Sequence, residues 1–402
     1  MKIAVFGGAF NPVHIGHTQL VKLFDDKLHF DKILIIPSKV SPHKSSDGLI
    51  CAEYRMNMCR IAFAQQKNAE VSDIEQRRDG KSYTVDTLRE LKAQYPNDEL
   101  YLICGSDMFL TLHEWREPTE ILKLATICAA KRGNEQDAAI LAQNQRLCEM
   151  GAITELINLY IPDVSSTAIR EKLREKADCS DILNNRVLCY IKRFGLYLDD
   201  ESQAAAYNAM IDEYDRLLQT RVNKKRYIHS KNVAKKAVEL AEKFGCDKRR
   251  AYLAGLLHDI CKNETNENNL KLVQEFGIMV DDISLREQKL WHAIAGAAYI
   301  QYILQLDDYD IINAVRYHTT GRAGASTLEK IIYLADFISD ERDFDGVEKI
   351  RKSVDGGLDN AMYTATKFTI EDLAAAGRPI HPDSVAAYNE ALFKRLSVEG
   401  KE

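Results

Sequence analysis

Lys2-Ile3-Ala4-Val5-Phe6-Gly7-Gly8-Ala9-Phe10-Asn11-Pro12-Val13-His14-Ile15-Gly16-His17 opens this chain, and its reading decides the fold of the first half. Residues 2–6 form an apolar, β-branched run, and residues 18–28 then place Leu20, Val21, Leu23, Phe24 and Leu28 at helical spacing. The stretch between them is therefore a strand-to-helix turn. Gly7 and Gly8 let the backbone approach a bound group closely, and the following helix start offers unpaired N–H groups and a positive dipole end. Two histidines around a glycine at such a turn point to a nucleotide-triphosphate site.

The same alternation continues outward. Residues 33–37, 100–104 and 126–130 read as further strands separated by amphipathic stretches, which predicts a parallel sheet with helices on both faces. Helix-like runs at 169–176 and 185–194 close this half, and residues 199–206, acidic and then small and polar, suit a surface connection. Beyond about residue 207 the strand signals vanish. Apolar residues at three- and four-residue spacing predict helices over 227–244, 249–261, 288–304, 310–318 and 328–338, an all-α domain. A chain of 402 residues exceeds what one core usually organises, so two domains are expected from length alone.

Composition narrows the partners. A net charge of −6, from 54 basic and 60 acidic side chains, gives no general pull toward nucleic acid or an anionic membrane, so any polyphosphate must be bound locally. No stretch approaches the length of a bilayer span. The nine cysteines, an odd number without a C-x-x-C pair, lie singly in apolar or helical stretches, as Cys104, Cys128, Cys189 and Cys261 do. Reduced, buried thiols in a cytoplasmic protein are the expectation.

Nucleotidyl transfer requires the α-phosphate held in line, the growing charge on its oxygens stabilised and pyrophosphate neutralised as it leaves. His14 and His17 suit the first two tasks. Either alone would be an ordinary turn residue; behind a strand and a Gly-Gly turn they are not. A second segment, Ser165-Ser166-Thr167-Ala168-Ile169-Arg170, opens a helix with three hydroxyls. Capping accounts for the hydroxyls. It does not account for Arg170, whose charge near the positive end of a helix calls for an anion.

Together these segments resemble the nucleotidyltransferase superfamily with H-x-G-H and S-S-T-x-I-R motifs, and within it bacterial nicotinate-mononucleotide adenylyltransferases, over roughly residues 1–198. Ser82-Tyr83-Thr84-Val85-Asp86-Thr87-Leu88, Gly105-Ser106-Asp107 and His113-Glu114-Trp115-Arg116 carry the subfamily likeness. The resemblance implies an α/β doubly wound parallel-sheet (Rossmann-like) domain. It also implies AMP transfer from ATP to nicotinate mononucleotide, with Mg²⁺ held mainly by substrate phosphates. Gly7, Gly8, Phe10, His14, His17, Gly105, Asp107, Ser165, Ser166, Thr167 and Arg170 would bind ATP, with His14, His17 and Arg170 catalytic. Trp115 would offer a flat face to the pyridine ring, Tyr83, Thr84 and Arg116 would hold the mononucleotide, and Lys44 of a Pro42-His43-Lys44 loop would reach phosphate.

In the helical half, His229, the adjacent His258-Asp259, His292, His318 and Asp336 recur near apolar helix faces or ends. Imidazoles with carboxylates suit a borderline transition metal, and an adjacent His-Asp pair suits a dinuclear site. The order H, HD, H, H, D resembles the HD phosphohydrolase superfamily. The wider segments around Lys262, Trp291, Tyr317 and Tyr333 are similar to HD-type symmetrical diadenosine tetraphosphatases, over roughly residues 218–390. That likeness implies hydrolysis of diadenosine tetraphosphate to two ADP at a di-iron or other divalent transition-metal centre. Lys262 would stabilise phosphate charge there, and Thr319, Thr320, Gly321 and Arg322 would bind the nucleotide phosphates. For this last group a helix C-cap around Gly321 is the plainer alternative.

The resulting expectation is an adenylyltransferase domain (1–198), a connecting segment (199–217) and an all-α HD-superfamily domain (218–402), acting on small nucleotides, with no nucleic acid or membrane as partner. Two alternatives stay open: an HD domain that binds a nucleotide as a regulatory module or acts on another nucleotide, and a different phosphorylated acceptor in the first domain. Oligomeric state, the metal in the cell and the preference between nicotinate and nicotinamide mononucleotides are not written in the sequence.

Overall fold

A computed structural model of the chain describes residues 1–39, 48–78, 80–131, 137–158 and 164–398. It separates into two compact units, Met1–Ala204 and Ala205–Glu402.

The first unit is a doubly wound sheet. Strands β1 (Lys2–Gly8), β2 (Lys32–Pro37), β3 (Ala69–Val71), β4 (Glu99–Cys104), β5 (Thr126–Lys131) and β6 (Thr154–Asn158) lie in the order β3-β2-β1-β4-β5-β6, every pair parallel. Central β1 pairs Val5 with Leu34 on one side and with Leu102 on the other, and its residues 3–6 are all buried. A strand covered on both faces is apolar throughout, and this one is. Ile3 and Val5 join a core with Val85, Leu88 and Leu91 of helix Thr84–Gln94 and Ile121 and Leu122 of helix Pro118–Leu124. Ala4 and Phe6 face the other way, and Phe6 meets Phe10 and His17 at ring-centroid distances of 5.3 and 6.0 Å. Strand order reverses direction between β1 and β4, so a crevice opens beyond their carboxyl ends, the usual ligand position in such sheets. Gly7-Gly8 and Gly105 stand at those ends.

Two strands had escaped the sequence pattern. Strand β3 has three residues, and β6, Thr-Glu-Leu-Ile-Asn, is only partly buried; both are edges and need no apolar run.

The second unit is wholly helical among the described residues. Helix Lys224–Phe244 packs against Lys248–Leu257 so closely that a Cβ on Gly255 would stand 2.7 Å from the Ala234 Cα. Buried Arg250 reaches from the second of these helices to Asp308 (2.9 and 2.6 Å) and Asp310 (2.9 Å). Asp308 also caps helix Tyr309–Arg316, so a single ionic network sets two elements that precede metal-ligand candidates.

Residues 199–217, read as a connecting segment, fall almost wholly in helix Asp200–Arg221, which buries Met210, Tyr214 and Leu218. Two sequence expectations change here. The run 288–304 is not one α-helix but a 3₁₀ turn, helix Trp291–Ala298 and a π-helical turn Tyr299–Ile303, a difference invisible to a 3.6-residue period. All nine cysteines lack a disulfide, yet Cys51, Cys148 and Cys189 are exposed, not buried. No helix among the described residues is long and apolar enough to cross a membrane.

Candidate functional site

In the first unit the two nucleotide-binding segments, some 150 positions apart, are brought into direct contact. Ser165 caps helix Ser166–Arg174, its hydroxyl accepting from the Thr167 and Ala168 N–H groups. Ser166 Oγ donates to the Pro12 carbonyl (3.0 Å), and Arg170 Nη1 donates to the Asn11 carbonyl (2.9 Å) while Nη2 donates to Thr167 Oγ1 (3.2 Å). Arg170 therefore has protein partners where the sequence argument wanted only an anion. It anchors the glycine loop, and its buried Nε makes no hydrogen bond.

The loop is fixed from beneath as well. Buried Arg55, on helix Ala52–Phe63, donates to the carbonyls of Ala9 (2.8 Å) and Ile50 (3.1 Å). Burial pushes the Arg55 guanidinium below its ordinary range. Phe10 sits at a φ of 47°, a left-handed conformation uncommon for a large side chain, and its ring fills the space a Cβ on Gly8 would need, 3.2 Å away. Neither Arg55 nor Asn11, which bonds the Gly48 carbonyl at 2.8 Å, was singled out from sequence. A cation inside an apolar helix gives no local signal of its target.

His14 is the N-cap of helix Ile15–Leu28, and the His14 N–H donates to Nδ1 of His17 (3.2 Å). A backbone N–H can only donate, so the neutral His17 ring carries its proton on Nε2 and presents a donor. The two rings lie 3.7 Å apart by centroid. A glycine between them leaves the rings room, since a Cβ on Gly16 would crowd the His14 ring at 3.1 Å.

On the other side of the crevice Gly105 ends β4, and exposed Asp107 lies in the first turn of helix Ser106–Thr111. Tyr83 caps helix Thr84–Gln94 and carries Arg116 over its ring at 4.7 Å, so Tyr83, Thr84 and Arg116 are brought together. Trp115 differs from expectation: it is 8% exposed within the sheet's core cluster, and its indole N–H donates to Thr111 Oγ1 at 3.3 Å. Core packing accounts for most of its surface. Lys44 lies outside the described residues.

In the second unit the six metal-ligand candidates converge from separate stretches of chain. Asp259 is the centre. Its Oδ2 lies 3.3 Å from His258 Nε2 and 3.8 Å from His229 Nε2, and its Oδ1 lies 3.2 Å from His292 Nε2 and 3.5 Å from His318 Nε2. Asp336 Oδ1 is 3.0 Å from His229 and 4.0 Å from His258. One carboxylate thus faces two sets of imidazoles, the arrangement of a bridging ligand. Nδ1 of His258 and of His318 each lies 2.7 Å from a carbonyl, of Gly255 and Val315, which can only accept; both rings then carry a proton on Nδ1 and turn Nε2 toward the carboxylates. Glu341 Oε1 holds His229 Nδ1 at 2.5 Å. Nitrogen and oxygen donors of this kind fit a divalent transition ion, and His229 Nε2, His258 Nε2 and Asp259 Oδ1 are buried without a hydrogen bond.

Electrostatics agree with that donor set. Burial opposes the ionisation of both carboxyls, yet His258, His292 and His318 hold Asp259, and His229, His258 and Arg342 hold Asp336, well below the ordinary carboxylate range. Burial pushes His292 down to about 4 and lowers Lys262. Lys262 Nζ is 3.0 Å from His292 Nε2, inside the cluster where it was expected.

Arg322 was not expected where it is found. Its Nε and Nη2 make a bidentate pair with buried Glu329 (2.6 and 2.7 Å), and Gly321, at a φ of 66°, ends the preceding turn. Thr320 is buried, its carbonyl taken by Ser384. Residues 319–322 therefore form a helix end, with the Arg322 guanidinium paired to Glu329.

Different cations approach the metal-ligand candidates. Arg226 Nη1 lies 2.6 Å from Asp259 Oδ2, and Arg342 pairs with Asp336 Oδ1. Both line a cavity of about 860 Å³ together with Lys224, Lys225, His229 and Phe344. The run Lys224-Lys225-Arg226, three residues before His229, was the sequence signal for it and reads in isolation as a solvated face.

Comparison with known proteins divides the chain in the same way. The family model described as cytidylyltransferase-like matches residues 5–172, and the HD domain model matches residues 226–339. A protein of Clostridium tetani named "Probable nicotinate-nucleotide adenylyltransferase" is 35% identical over 198 residues, 49% of this chain and 98% of its own length. A "Bis(5'-nucleosyl)-tetraphosphatase, symmetrical" of Halalkalibacterium halodurans is 36% identical over 180 residues, 45% of this chain and 96% of its own length. Another of that name, from Bacillus subtilis, is 37% identical over 164 residues, 41% of this chain and 88% of its own length.

Proposed function

Because the chain belongs to the cytidylyltransferase-like nucleotidyltransferases in its first half and to the HD domain proteins in its second, we propose that it is a bifunctional enzyme. The first activity is AMP transfer from ATP to nicotinate mononucleotide; the second is hydrolysis of diadenosine tetraphosphate to two ADP. The division of labour is taken as residues 1–198 and 218–402.

The contacts of Ser166 and Arg170 with the Pro12 and Asn11 carbonyls support the first reading, since they make one phosphate cradle from both motif segments. A phosphate oxygen of the mononucleotide attacks the α-phosphorus of ATP, the bond from that phosphorus to the bridging oxygen breaks, and pyrophosphate leaves with the electron pair. His17, donating from Nε2, and the N–H groups opening helix Ile15–Leu28 stabilise the equatorial oxygens as charge grows. Mg²⁺ arriving with ATP would neutralise the leaving phosphates. Tyr83, Thr84 and Arg116 bind the acceptor.

Asp259, with one oxygen toward His229 and His258 and the other toward His292 and His318, supports the second. Two divalent ions held by these residues and Asp336 would supply an activated water and neutralise phosphate charge. Water adds to an inner phosphorus, the bond to the central bridging oxygen breaks, and a proton passes to the departing ADP. Lys262 places a cation beside that phosphate.

The test is turnover by the full chain. With ATP and Mg²⁺ it should form the dinucleotide from nicotinate mononucleotide; activity with phosphopantetheine instead would overturn the acceptor. Diadenosine tetraphosphate should yield ADP alone. Hydrolysis surviving His258→Ala, with no transition metal in the purified protein, would overturn the dinuclear site, whereas nucleotide binding without any hydrolysis would leave the helical unit as a regulatory module.

A further inference from the structure

The cavity beside the metal-ligand candidates has a charge and a lining that hydrolysis at the cluster does not by itself explain. It is bounded by Lys224, Lys225, Arg226, Ile228 and His229 of one helix and by Glu341, Arg342, Asp343 and Phe344 of the turn after another. Arg226 and Arg342 are paired with Asp259 and Asp336, and Glu341 is engaged by His229, Asn232 and Ser339, which leaves Lys224 and Lys225 facing Asp343. That is a basic pocket in a chain of net charge −6.

Its position on the helix is equally telling. Lys224, Lys225 and Arg226 are the first three residues of a 21-residue helix with no acidic residue in its first turn. Positive charge at the positive end of a helix dipole is unfavourable, typically by about 0.3–1 kcal/mol per group at an exposed site. Lys224 and Lys225 are exposed and make no ion pair among the described residues. A multiply charged anion would reverse the sign of all these terms. His229 lines the same cavity, and its Nε2 lies 3.0 Å from Asp336 Oδ1, so the pocket borders the metal-ligand cluster.

The walls suggest more than phosphate. Ile228 is 48% exposed although it lies among cations, and Phe344 presents a partly exposed ring backed by Phe368 at 5.2 Å. An apolar residue and an aromatic face beside a cationic groove are what a nucleoside with a diphosphate tail requires. A volume of about 860 Å³ is ample for one.

We infer that this cleft holds the nucleoside diphosphate half that leaves from a dinucleoside polyphosphate, with Lys224, Lys225, Arg226 and Arg342 on its phosphates and Phe344 against its base. The inference rests on the tetraphosphatase reading for its substrate and deepens it. A symmetrical substrate has two equivalent nucleotide halves, and cleavage at its centre leaves one on each side of the broken bond. A second subsite gives the departing half a place of its own. Arg226 and Arg342, now on Asp259 and Asp336, are within reach of both carboxylate and phosphate, so ligand binding would draw them from one to the other.

Two measurements on the full chain test this separately from turnover. ADP should slow acylation of Lys224 and Lys225 by an amine-reactive reagent several-fold, read residue by residue by peptide mass spectrometry, with exposed Lys248 and Lys289 as unchanged controls. Lys224→Glu with Lys225→Glu should raise the KM for diadenosine tetraphosphate about 10- to 100-fold, the loss of two exposed, solvent-screened phosphate contacts, with metal content unaltered. Phe344→Ala should raise KM for that substrate while leaving adenosine 5′-tetraphosphate, which lacks the second nucleoside, unaffected. Equal acylation with and without ADP, together with an unchanged KM in the double variant, would overturn the cleft. Protection by ADP in a chain that hydrolyses no diadenosine tetraphosphate would instead uphold the cleft and sink the tetraphosphatase reading.

Discussion

Gly255→Ala puts one methyl group where the helical unit has no room for it. The new Cβ would stand 2.7 Å from the Ala234 Cα, 3.0 Å from its nitrogen and 3.2 Å from the Val233 carbonyl carbon, all backbone atoms that cannot rotate away. Carbon atoms rest about 3.5–4.0 Å apart, so helices Lys224–Phe244 and Lys248–Leu257 must part by about 1 Å. Alanine gains about 1 kcal/mol of helix propensity over glycine. Overpacking costs about 1–3 kcal/mol, with rigid backbone at the upper end, so net destabilisation of about 2 kcal/mol is expected. For a unit of this size that is a fall of about 4–8 °C in the Tm of its calorimetric transition. A second consequence is local. His258 is tied to the Gly255 carbonyl and His229 lies one turn before Ala234, so the parting falls directly on two imidazoles 5.2 Å apart by centroid. Metal sites tolerate about 0.2 Å of misplacement, so affinity measured by chelator competition should drop at least about tenfold. Gly296→Ala is the control, since its Cβ would meet the movable Val315 Cγ1 at 3.2 Å, and its effect should be smaller. An unchanged Tm with wild-type metal affinity in Gly255→Ala would refute the close-packing argument.

Other substitutions probe single links. Glu341→Ala removes the carboxylate that orients His229 and should weaken metal binding about 10- to 100-fold with little change in the first unit's activity; unaltered affinity would show that His229 needs no orienting partner. Arg170→Lys cannot keep both the Asn11 and Thr167 contacts, and loss of a charge-assisted hydrogen bond of about 1.5–3 kcal/mol predicts a fall of about 10- to 100-fold in kcat/KM for ATP. Asp281 is a test of pH dependence. Burial opposes its ionisation, but the Ser284 N–H and hydroxyl and His381 outweigh burial and hold the carboxyl below its ordinary range. Its contribution is therefore complete above the unfolded value of about 3.9 and is lost as pH falls below it. Asp281→Asn should lower Tm at neutral pH and converge on the wild type in acid, whereas a constant gap would contradict the assignment.

How much of this was legible depended on whether a residue's partner was local. The apolar runs of β1, β2, β4 and β5 announced themselves, because strands covered on both faces have nothing polar to hide them. Edge strands β3 and β6 carried too little apolar surface to be seen. His258-Asp259 could be recognised because ligand chemistry is written in residue type. Glu341 could not, since an acidic residue after a helix reads as solvated until His229 is found beside it. Arg322 has the same difficulty: threonines, glycine and arginine read as a phosphate grip, and its ion-pair partner, Glu329, lies seven positions away on another element. Arg226 and Arg342 reverse the case, as surface cations by sequence that the fold carries to the centre of the site.

The six metal-ligand candidates are gathered from positions 229 to 336, and no short segment holds more than two of them. An ion seated there is a rivet through most of the helical unit, and an unfolded chain cannot offer it an equivalent grip. Ion concentration then enters the unit's persistence directly: at a hundred times the dissociation constant, binding adds about 2.7 kcal/mol to folding. The nutritional state of the cell would thus be inscribed in the lifetime of one half of the polypeptide. Limited proteolysis should cut the helical half faster once a chelator is added while sparing the sheet. Equal rates with and without chelator would mean that the ion is a passenger in this fold and not its fastening.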